Sequence, residues 1–165
     1  MKQSKTNALR LLDSAGIRYT PLEYVTADGA LDGISVAHKT GRDTAAVFKT
    51  LVARGASGQA LVFCIPVAQE LDLKMAARAA GEKSAAMLPA AQLTPLTGYV
   101  KGGCSPLGMK KMFPTFIDAS AQGQALILVS GGRVGLQVEL APAALADAAR
   151  AAFAPLCRPG AAAPI

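Results

Sequence analysis

The segment GYVKGGCSPLGMKKMFPTFID (residues 98–118) is unusual for a stretch inside a small domain. Its 21 residues include four glycines, two prolines, three lysines and one cysteine. Glycine and proline weaken helices and strands, so most of this segment is not expected to be a regular packing element. The segment must therefore have a role other than packing, and other features of the sequence are needed to identify that role.

Composition places the chain among globular domains. It has 165 residues, 52% of them apolar, which suggests one domain that buries roughly 70% of its unfolded surface. Tryptophan is absent and aromatic residues make up only 5%, so alanine and small aliphatic side chains must fill most of the core. We expect a single domain over residues 1–156 and a flexible tail over residues 157–165.

No segment is typical of a targeting or membrane sequence. The longest apolar run, residues 60–68, has nine residues and contains Pro66, whereas a membrane-spanning helix needs about 20. The polar N-terminal residues do not have the pattern of a signal peptide. We expect a soluble cytoplasmic protein with no membrane partner.

The cysteines and the single histidine argue against a disulfide framework and a metal site. Cys64, Cys104 and Cys157 are odd in number, far apart and without a CxxC pair. His38 stands beside Lys39 in a predicted helix, a position typical of a surface residue. We therefore expect no metal and no cofactor.

Positive charge is concentrated in one part of the sequence. Residues 73–138 contain seven basic and two acidic side chains, an excess of 7 − 2 = +5, within a chain of net charge +6. Clustered positive charge is typical of proteins that bind a phosphate-bearing partner, because neutralising phosphates releases counterions. Ordinary solubilising charge would give the same composition, so charge alone leaves both explanations open.

The order of predicted elements favours one α+β domain with a mostly antiparallel or mixed sheet, since helices and hairpins mix without regular βαβ alternation. Gly16, Gly41 and Gly81 are placed to end helices. Glycine-rich turns at residues 55–58 and 130–133 connect pairs of strands. The predicted helices are residues 5–16, 34–40, 71–80, 89–93 and 142–152, and the predicted strands are residues 18–24, 46–54, 59–67, 115–118, 125–129 and 134–140.

The glycine motifs do not match a nucleotide-binding loop. Gly103 and Gly108 have Walker A spacing, but Met109 stands where that loop requires lysine. The SGGRVG sequence at residues 130–135 lacks the dinucleotide-binding GxGxxG pattern. Two interpretations remain: simple turns, or backbone N–H groups exposed to bind an oxyanion.

Four motifs give the chain a resemblance to a known family. VFKTLV (47–52), LDLKMAARAAG (71–81), the segment 98–118 and VSGGRVGLQVELAP (129–142) resemble the YbaK/EbsC family of aminoacyl-tRNA deacylases. The resemblance covers about residues 4–153 and extends to the editing insertion of bacterial prolyl-tRNA synthetases. It implies a mixed, partly barrel-like sheet with surrounding helices, wrapped around a pocket for the aminoacylated 3′ end of tRNA.

The resemblance also implies the site residues. The residue on which deacylation depends corresponds to Lys49, and the glycines that line the aminoacyl group correspond to Gly102 and Gly103. The remaining substrate-binding positions are Tyr24, Thr50, Ser130 and Gln137. Some family members carry Asp at position 137, and a phenylalanine of some members has no clear counterpart here, the nearest residues being Leu31 and Asp32.

The implied reaction needs no protein nucleophile. Lys49 would hold the terminal adenosine by charge, the glycine N–H groups would polarise the ester carbonyl, and the substrate's own cysteine thiol would attack it. The implied substrates are Cys-tRNA(Pro) and Cys-tRNA(Cys), with prolyl-tRNA synthetase as a candidate partner. Covalent catalysis by Cys104 is a disfavoured alternative, because no histidine is paired with it by motif.

Two other functions fit the same motifs. One is a hydrolytic deacylase for another small aminoacyl group, Ala or Ser. The other is a non-catalytic module that binds tRNA or a synthetase. The intact FKT motif at residues 48–50 favours an enzyme, because a module without activity would be free to lose its pocket lysine.

Overall fold

The computed structural model describes residues 4–158, in which five α-helices and eight strands alternate irregularly. In chain order they are α1 (Asn7–Ser14), β1 (Thr20–Glu23), α2 (Gly33–Thr40), β2 (Phe48–Gly55), β3 (Ala60–Pro66), α3 (Leu73–Ala80), β4 (Ala85–Met87), α4 (Leu93–Thr97), β5 (Thr115–Asp118), β6 (Ile127–Ser130), β7 (Leu136–Leu140), α5 (Pro142–Ala149) and β8 (Ala152–Ala154). None of these helices is long and apolar enough to cross a membrane.

Local capping chemistry sets the ends of the main helices. The side chains of Thr6, Asp32 and Asp72 accept hydrogen bonds from backbone N–H groups in the first turns of α1, α2 and α3. Gly41 and Gly81 end α2 and α3 in the left-handed conformation that glycine adopts without steric cost. Gly41 and Gly81 are the helix ends that the sequence predicts, whereas the caps at Thr6 and Asp32 were not predicted.

The strands form two sheets with the orders β1-β7-β6 and β4-β2-β3-β5-β8. The pairs β1–β7, β6–β7, β2–β3 and β2–β4 are antiparallel, and β5 is parallel to both β3 and β8. A parallel bridge between Val47 and Leu128 joins the two sheets. The predicted α+β fold with a mixed, mostly antiparallel sheet is confirmed, and the bridge accounts for its partly closed form.

Strand β2 is left open along part of one edge. Its start is joined to β6 through the Val47–Leu128 bridge, and its end pairs with β4 through Ala53 to Gly55. Between these contacts, residues 49–51 have no strand partner on that edge among the described residues. A cavity lined by these residues of β2 and by residues of both sheets lies at this gap.

The five-stranded sheet is covered differently on its two faces. Val52 and Val62 pack on one face against Tyr99, Cys104 and Phe113 of the glycine-rich segment and its surroundings. The next residues along each strand pack on the other face, against α3 and the C-terminal segment: Ala53, Leu61, Phe63, Ile65, Ala76 and Leu156. The basic residues of α3 and those of the glycine-rich segment therefore lie over opposite faces.

Two short strands are absent from the sequence prediction. β4 and β8 have the sequences AAM and AFA, and alanine favours helix over strand when nothing else intervenes. The predicted helix at residues 142–152 instead ends at Ala149, where Arg150 adopts φ 51°, and the chain continues as a strand beside β5. Pairing to an existing sheet edge overrides the local preference.

The predicted C-terminal tail begins against the domain. Asp118 Oδ1 accepts a 2.9 Å hydrogen bond from Leu156 N, and Arg158 Nε lies 2.6 Å from Asp72 Oδ2. Residues 159–165 lie outside the described residues. The flexibility predicted for residues 157–165 thus stays a prediction for that remaining part.

Candidate active site

A cavity of about 510 Å³ opens between the two sheets, at the gap in β2. Its size is in the range that holds a small ligand. It brings together six of the seven residues that the sequence assigns to the site: Tyr24, Lys49, Thr50, Gly102, Ser130 and Gln137. The other described residues of its lining are Leu31, Asp32, Gly33, Val36, Val47, Phe48, Leu51, Val67, Lys101 and Cys104.

Lys49 lies in the open part of β2 and is partly buried. Burial lowers the pKa of its ammonium group, and the negative charge of Glu70 opposes that shift. Among the described residues, no carboxylate lies within ion-pair distance of Lys49. The cavity therefore holds a cation that is partly removed from water and available to an anionic ligand.

Thr50 is the next residue along β2 and points to the opposite face of the strand. Its Oγ1 lies 3.8 Å from Cys64 Sγ on β3. Burial raises the pKa of the Cys64 thiol to about 12, so this cysteine stays neutral at physiological pH. Lys49 and Thr50 both reach the cavity because it opens at the strand edge rather than on one face.

The two predicted glycines have different surroundings. Gly102 lines the cavity with φ +83°, and its N–H forms no hydrogen bond with another described residue. Gly103 N–H donates to the carbonyl oxygen of Val100 at 2.9 Å, and Gly103 is not part of the lining. The structure thus leaves one of the two amides free for a ligand and uses the other to close the turn.

Gly103 is tied to the turn that follows β6. A Cβ at this position would lie 2.8 Å from the backbone nitrogen of Val134 and 2.9 Å from the carbonyl carbon of Arg133. Only glycine allows the two backbones to approach so closely. The pair of glycines therefore combines a free amide with a close backbone contact.

Cys104 lines the cavity beside these glycines and is buried. Burial raises the pKa of its thiol to about 11. The only histidine of the chain, His38, is not among the residues of the cavity lining. A protonated thiol without a base is a poor nucleophile, which agrees with the disfavoured role of Cys104.

Ser130 and Gln137 face each other across β6 and β7. Ser130 Oγ accepts a 3.2 Å hydrogen bond from Gly132 N, so the hydroxyl hydrogen remains available to another acceptor. Gln137 is only 6% exposed, and its Oε1 has no hydrogen-bond partner among the described residues. Tyr24 is held nearby by a 3.0 Å hydrogen bond from its backbone N to Gly135 O.

Sequence reasoning missed the wall formed by the start of α2. Leu31, Asp32 and Val36 all line the cavity, and Val67 completes this apolar side. The only signal was that Leu31 and Asp32 are the residues nearest to a phenylalanine of some family members that has no clear counterpart here. Lys101 was missed as a lining residue although it adjoins the predicted glycines.

Within residues 4–158, no cluster of three or more His, Cys, Asp or Glu side chains is arranged to hold a metal ion. The polar groups of the cavity are instead the partly buried Lys49, the exposed Lys101, the Asp32 carboxylate, a glycine amide without a hydrogen bond, hydroxyl groups and one amide side chain. Such a set can bind a phosphate or ribose, polarise a carbonyl and orient a small polar group.

Comparison with known families identifies this arrangement. The sequence profile described as "Aminoacyl-tRNA editing domain" matches residues 32–148, more than half of the chain. The chain belongs to the aminoacyl-tRNA editing domain family. The matched range of the editing domain includes the open strand with Lys49, the glycine-rich segment and both Ser130 and Gln137.

Individual relatives agree with this assignment. The editing domain is 43% identical over 152 residues to "Putative Cys-tRNA(Pro)/Cys-tRNA(Cys) deacylase EbsC" of Enterococcus faecalis, an alignment covering 92% of this chain and 93% of the relative. This confirms the resemblance to the YbaK/EbsC family.

Solved structures share the fold. One named "Crystal structure of a putative trans-editing enzyme for prolyl tRNA synthetase" matches with a TM-score of 0.80 and 23% identity, covering 95% of this chain and 100% of the other. A structure of a hypothetical protein matches with a TM-score of 0.84 and 20% identity, covering 92% and 99%. At these identities the similarity concerns the fold alone.

Proposed function

We propose that this protein is a trans-editing deacylase that removes cysteine from misacylated tRNA, with Cys-tRNA(Pro) as its main substrate and Cys-tRNA(Cys) as a second one. The observation that carries the proposal is the 43% identity to EbsC over nearly the full length of both chains. The alignment covers 92% of this chain and 93% of the relative, so the similarity extends over the whole cavity.

Lys49 is proposed to bind the 3′-terminal adenosine through its ribose or phosphate. Lys49 is a partly buried cation with no carboxylate within ion-pair distance in the described structure, which supports this role because an anionic ligand can approach its ammonium group. Gly102 is proposed to donate its free N–H to the ester carbonyl oxygen, where negative charge develops during the reaction. Tyr24, Thr50 and Ser130 complete the walls around the aminoacyl group.

The substrate's thiol is proposed to be the nucleophile. Its sulfur forms a bond to the carbonyl carbon while the ester C–O bond breaks, so that the cysteine leaves as a cyclic thiolactone. The 3′ oxygen of the tRNA takes up a proton, which balances the proton lost from the thiol. The protein contributes orientation and charge stabilisation, and the neutral Cys104 beside the glycines takes no covalent part.

A prolyl-tRNA synthetase is proposed as the partner that supplies tRNA selectivity. The cavity, of about 510 Å³, is proposed to receive the 3′ end of the tRNA, which is common to all tRNAs. We therefore expect weak discrimination between Cys-tRNA(Pro) and Cys-tRNA(Cys) by the protein alone, and stronger action on tRNA(Pro) when the synthetase is added. Such a role places the protein in the cytoplasm.

The test uses tRNA(Pro) charged separately with Cys, Ser, Ala and Pro, with release of free tRNA as the readout. We expect rapid deacylation of Cys-tRNA(Pro) and much slower deacylation of Ser-tRNA(Pro). The two side chains are similar in size, but a thiol with a pKa of about 8.5 supplies thiolate at neutral pH and a hydroxyl does not. Equal rates for Ser and Cys would overturn the thiol mechanism, and binding without deacylation would indicate a non-catalytic module.

A further inference from the structure

The side chain of Gln137 lines the cavity and has no role in the reaction described above. It lies on β7 between β1 and β6, opposite Leu22 on one side and Ser130 on the other. It is 6% exposed and lines the cavity. Its Oε1 is buried and accepts no hydrogen bond from any described residue.

A buried acceptor without a donor is uncommon in folded proteins, because it has lost its water without gaining a replacement. The neighbouring side chain does not satisfy it: Ser130 Oγ is engaged with Gly132 N, and no hydrogen bond joins Ser130 to Gln137. Since Gln137 borders the cavity, a ligand in the cavity is the natural source of the missing donor.

An aminoacyl ester has three kinds of group that could donate a hydrogen bond to Gln137 Oε1. A thiol is a weak donor and a ribose hydroxyl a moderate one, whereas the α-ammonium group carries three N–H donors and a positive charge. Hydrogen bonds to a charged group are the stronger ones. An α-ammonium group therefore satisfies a buried amide oxygen better than any other part of this substrate.

Asp32 is the alternative acceptor, as the only carboxylate among the described residues of the lining. Its oxygens already accept from Ser35 N at 3.1 Å and Ser35 Oγ at 2.6 Å, which caps α2. These bonds also hold the pKa of Asp32 below its usual range. Asp32 thus has a structural task at the helix start, while Gln137 has none in the described structure.

We propose that Gln137 Oε1 accepts a hydrogen bond from the α-ammonium group of the bound aminoacyl ester, which makes Gln137 a specificity-determining residue. The inference rests on the proposed function and adds a substrate class to it. Aminoacyl-tRNA with a free α-amino group is accepted, and N-acylated forms such as peptidyl-tRNA are rejected. N-acylation removes the charge and two of the donors and adds bulk next to a buried wall.

The test measures the affinity for non-cleavable probes, so the contribution of Gln137 to binding is determined separately from any effect on catalysis. The probes are two non-cleavable amides of 3′-amino-3′-deoxyadenosine, one carrying L-cysteine and the other carrying 3-mercaptopropionate, which lacks only the α-amino group. Wild-type protein is expected to bind the cysteinyl probe about 10-fold to 100-fold more tightly, the usual contribution of a hydrogen bond to a charged group. Equal affinities for the two probes would overturn the inference.

Three variants locate the contact. Gln137→Met keeps the side-chain length without the acceptor and is expected to bind both probes equally. Gln137→Glu restores an acceptor and is expected to keep the preference for cysteine. Asp32→Asn still caps α2 and is also expected to keep it. Loss of the preference in Asp32→Asn but not in Gln137→Met would assign the ammonium contact to Asp32 and overturn the proposal.

For each variant, the affinities of two probes are compared on the same protein. A modest loss of stability lowers both affinities alike and leaves their ratio unchanged. Melting curves identify a variant that fails to fold; if Gln137→Met does not fold, the wild-type comparison still tests the α-amino contact and Asp32→Asn still tests the alternative acceptor. A wild-type protein that binds neither probe and releases no tRNA from Cys-tRNA(Pro) would overturn the proposed function itself. Equal binding of both probes with intact deacylation would overturn only the role of Gln137.

Discussion

Gly103 and Val134 meet through their backbones: a Cβ on Gly103 would lie 2.8 Å from the nitrogen of Val134. Gly103 belongs to the glycine-rich segment, and Val134 follows the turn that begins after Ser130. The contact fixes the distance between Gly102 and Ser130, which line the same cavity. Any side chain at position 103 must push these two walls apart.

Gly103→Ala is therefore expected to damage the site although Gly103 does not line it. The added methyl group meets backbone atoms, which cannot rotate away, and overpacking of this kind costs about 1–3 kcal/mol of unfolding free energy. We expect deacylation of Cys-tRNA(Pro) to fall at least about 10-fold, because displacement of a positioning group by an ångström is enough for such a loss. Denaturant unfolding and single-turnover deacylation measure the two effects.

Gly123→Ala is the matched control. A Cβ at Gly123 has no atom within 4 Å, and the backbone there is not in the left-handed region. We expect activity and stability close to those of the wild type. If Gly103→Ala behaved like this control, the close contact with Val134 would have no part in shaping the cavity.

Lys49→Ala is expected to reduce deacylation about 100-fold or more while leaving the fold intact. The loss follows from the missing orientation of the terminal adenosine. The expected effect of Lys49→Ala on the free energy of unfolding is small, because two contributions of the Lys49 side chain oppose each other. The folded pKa of Lys49 is lowered by burial, so the charged form costs stability below that pKa, and the cost disappears as pH rises towards the unfolded value.

Removal of Lys49 relieves this cost and loses the packing of its alkyl chain, two effects of opposite sign. We expect a melting temperature at neutral pH that is unchanged or slightly raised. Lys83→Ala, a change of an exposed lysine beyond α3, serves as the control for charge and should keep full activity. An inactive Lys49→Ala that is also strongly destabilised would point to a structural role instead.

Cys104→Ala is expected to keep most of the deacylase activity and the same pH profile as the wild type. If the substrate thiol is the nucleophile, the rate rises with pH and levels off above about 8.5, where that thiol is ionised. A Cys104 nucleophile, with a pKa of about 11, would give a rate that still rises beyond this point. A thousandfold loss in folded Cys104→Ala would support covalent catalysis.

The affinity for tRNA is expected to decrease with salt concentration, and only some of the basic residues are expected to contribute to this dependence. Lys101 is exposed where it lines the cavity, and Lys111 is exposed further along the same glycine-rich segment, whereas Lys83 follows α3 on the opposite face of the sheet. Each phosphate contact contributes roughly 0.7–0.9 to the slope of log affinity against log salt.

We expect Lys101→Ala and Lys111→Ala each to reduce the slope by about that amount, and Lys83→Ala to leave it unchanged. Filter binding of tRNA between 50 and about 200 mM salt covers the range in which such slopes are measured. A flat dependence in the wild type would exclude phosphate contacts as the source of affinity.

Much of the fold follows from local signals in the sequence. Asp32 and Asp72 are helix caps with a short-range mechanism, and Gly41 and Gly81 end the same helices for an equally local reason. The hairpin of β2 and β3 follows from a glycine turn between two apolar runs. β4 and β8 could not be predicted in this way, because their alanine-rich sequences become strands only when a sheet edge is present to pair with.

The features of the site also divide into those that the sequence motifs predict and those that depend on the folded structure. The motifs identify Lys49, Gly102 and Gln137, and the structure brings all three to one cavity. The sequence could not show that the N–H of Gly103 is used by Val100, since that depends on the conformation of the turn. Nor could it show that Asp32 borders the cavity, which depends on where α2 packs.

The residues that enclose the cavity extend along the chain from Tyr24 to Gln137. No N-terminal fragment that stops before β7 contains all residues of the cavity, so a chain leaving the ribosome lacks the complete cavity until β7 (Leu136–Leu140) has been made. A ligand that recognises only the finished cavity stabilises the fully folded state and no partial one. Protection of amide hydrogens by such a ligand should consequently extend over both sheets at once, including strands that never touch it.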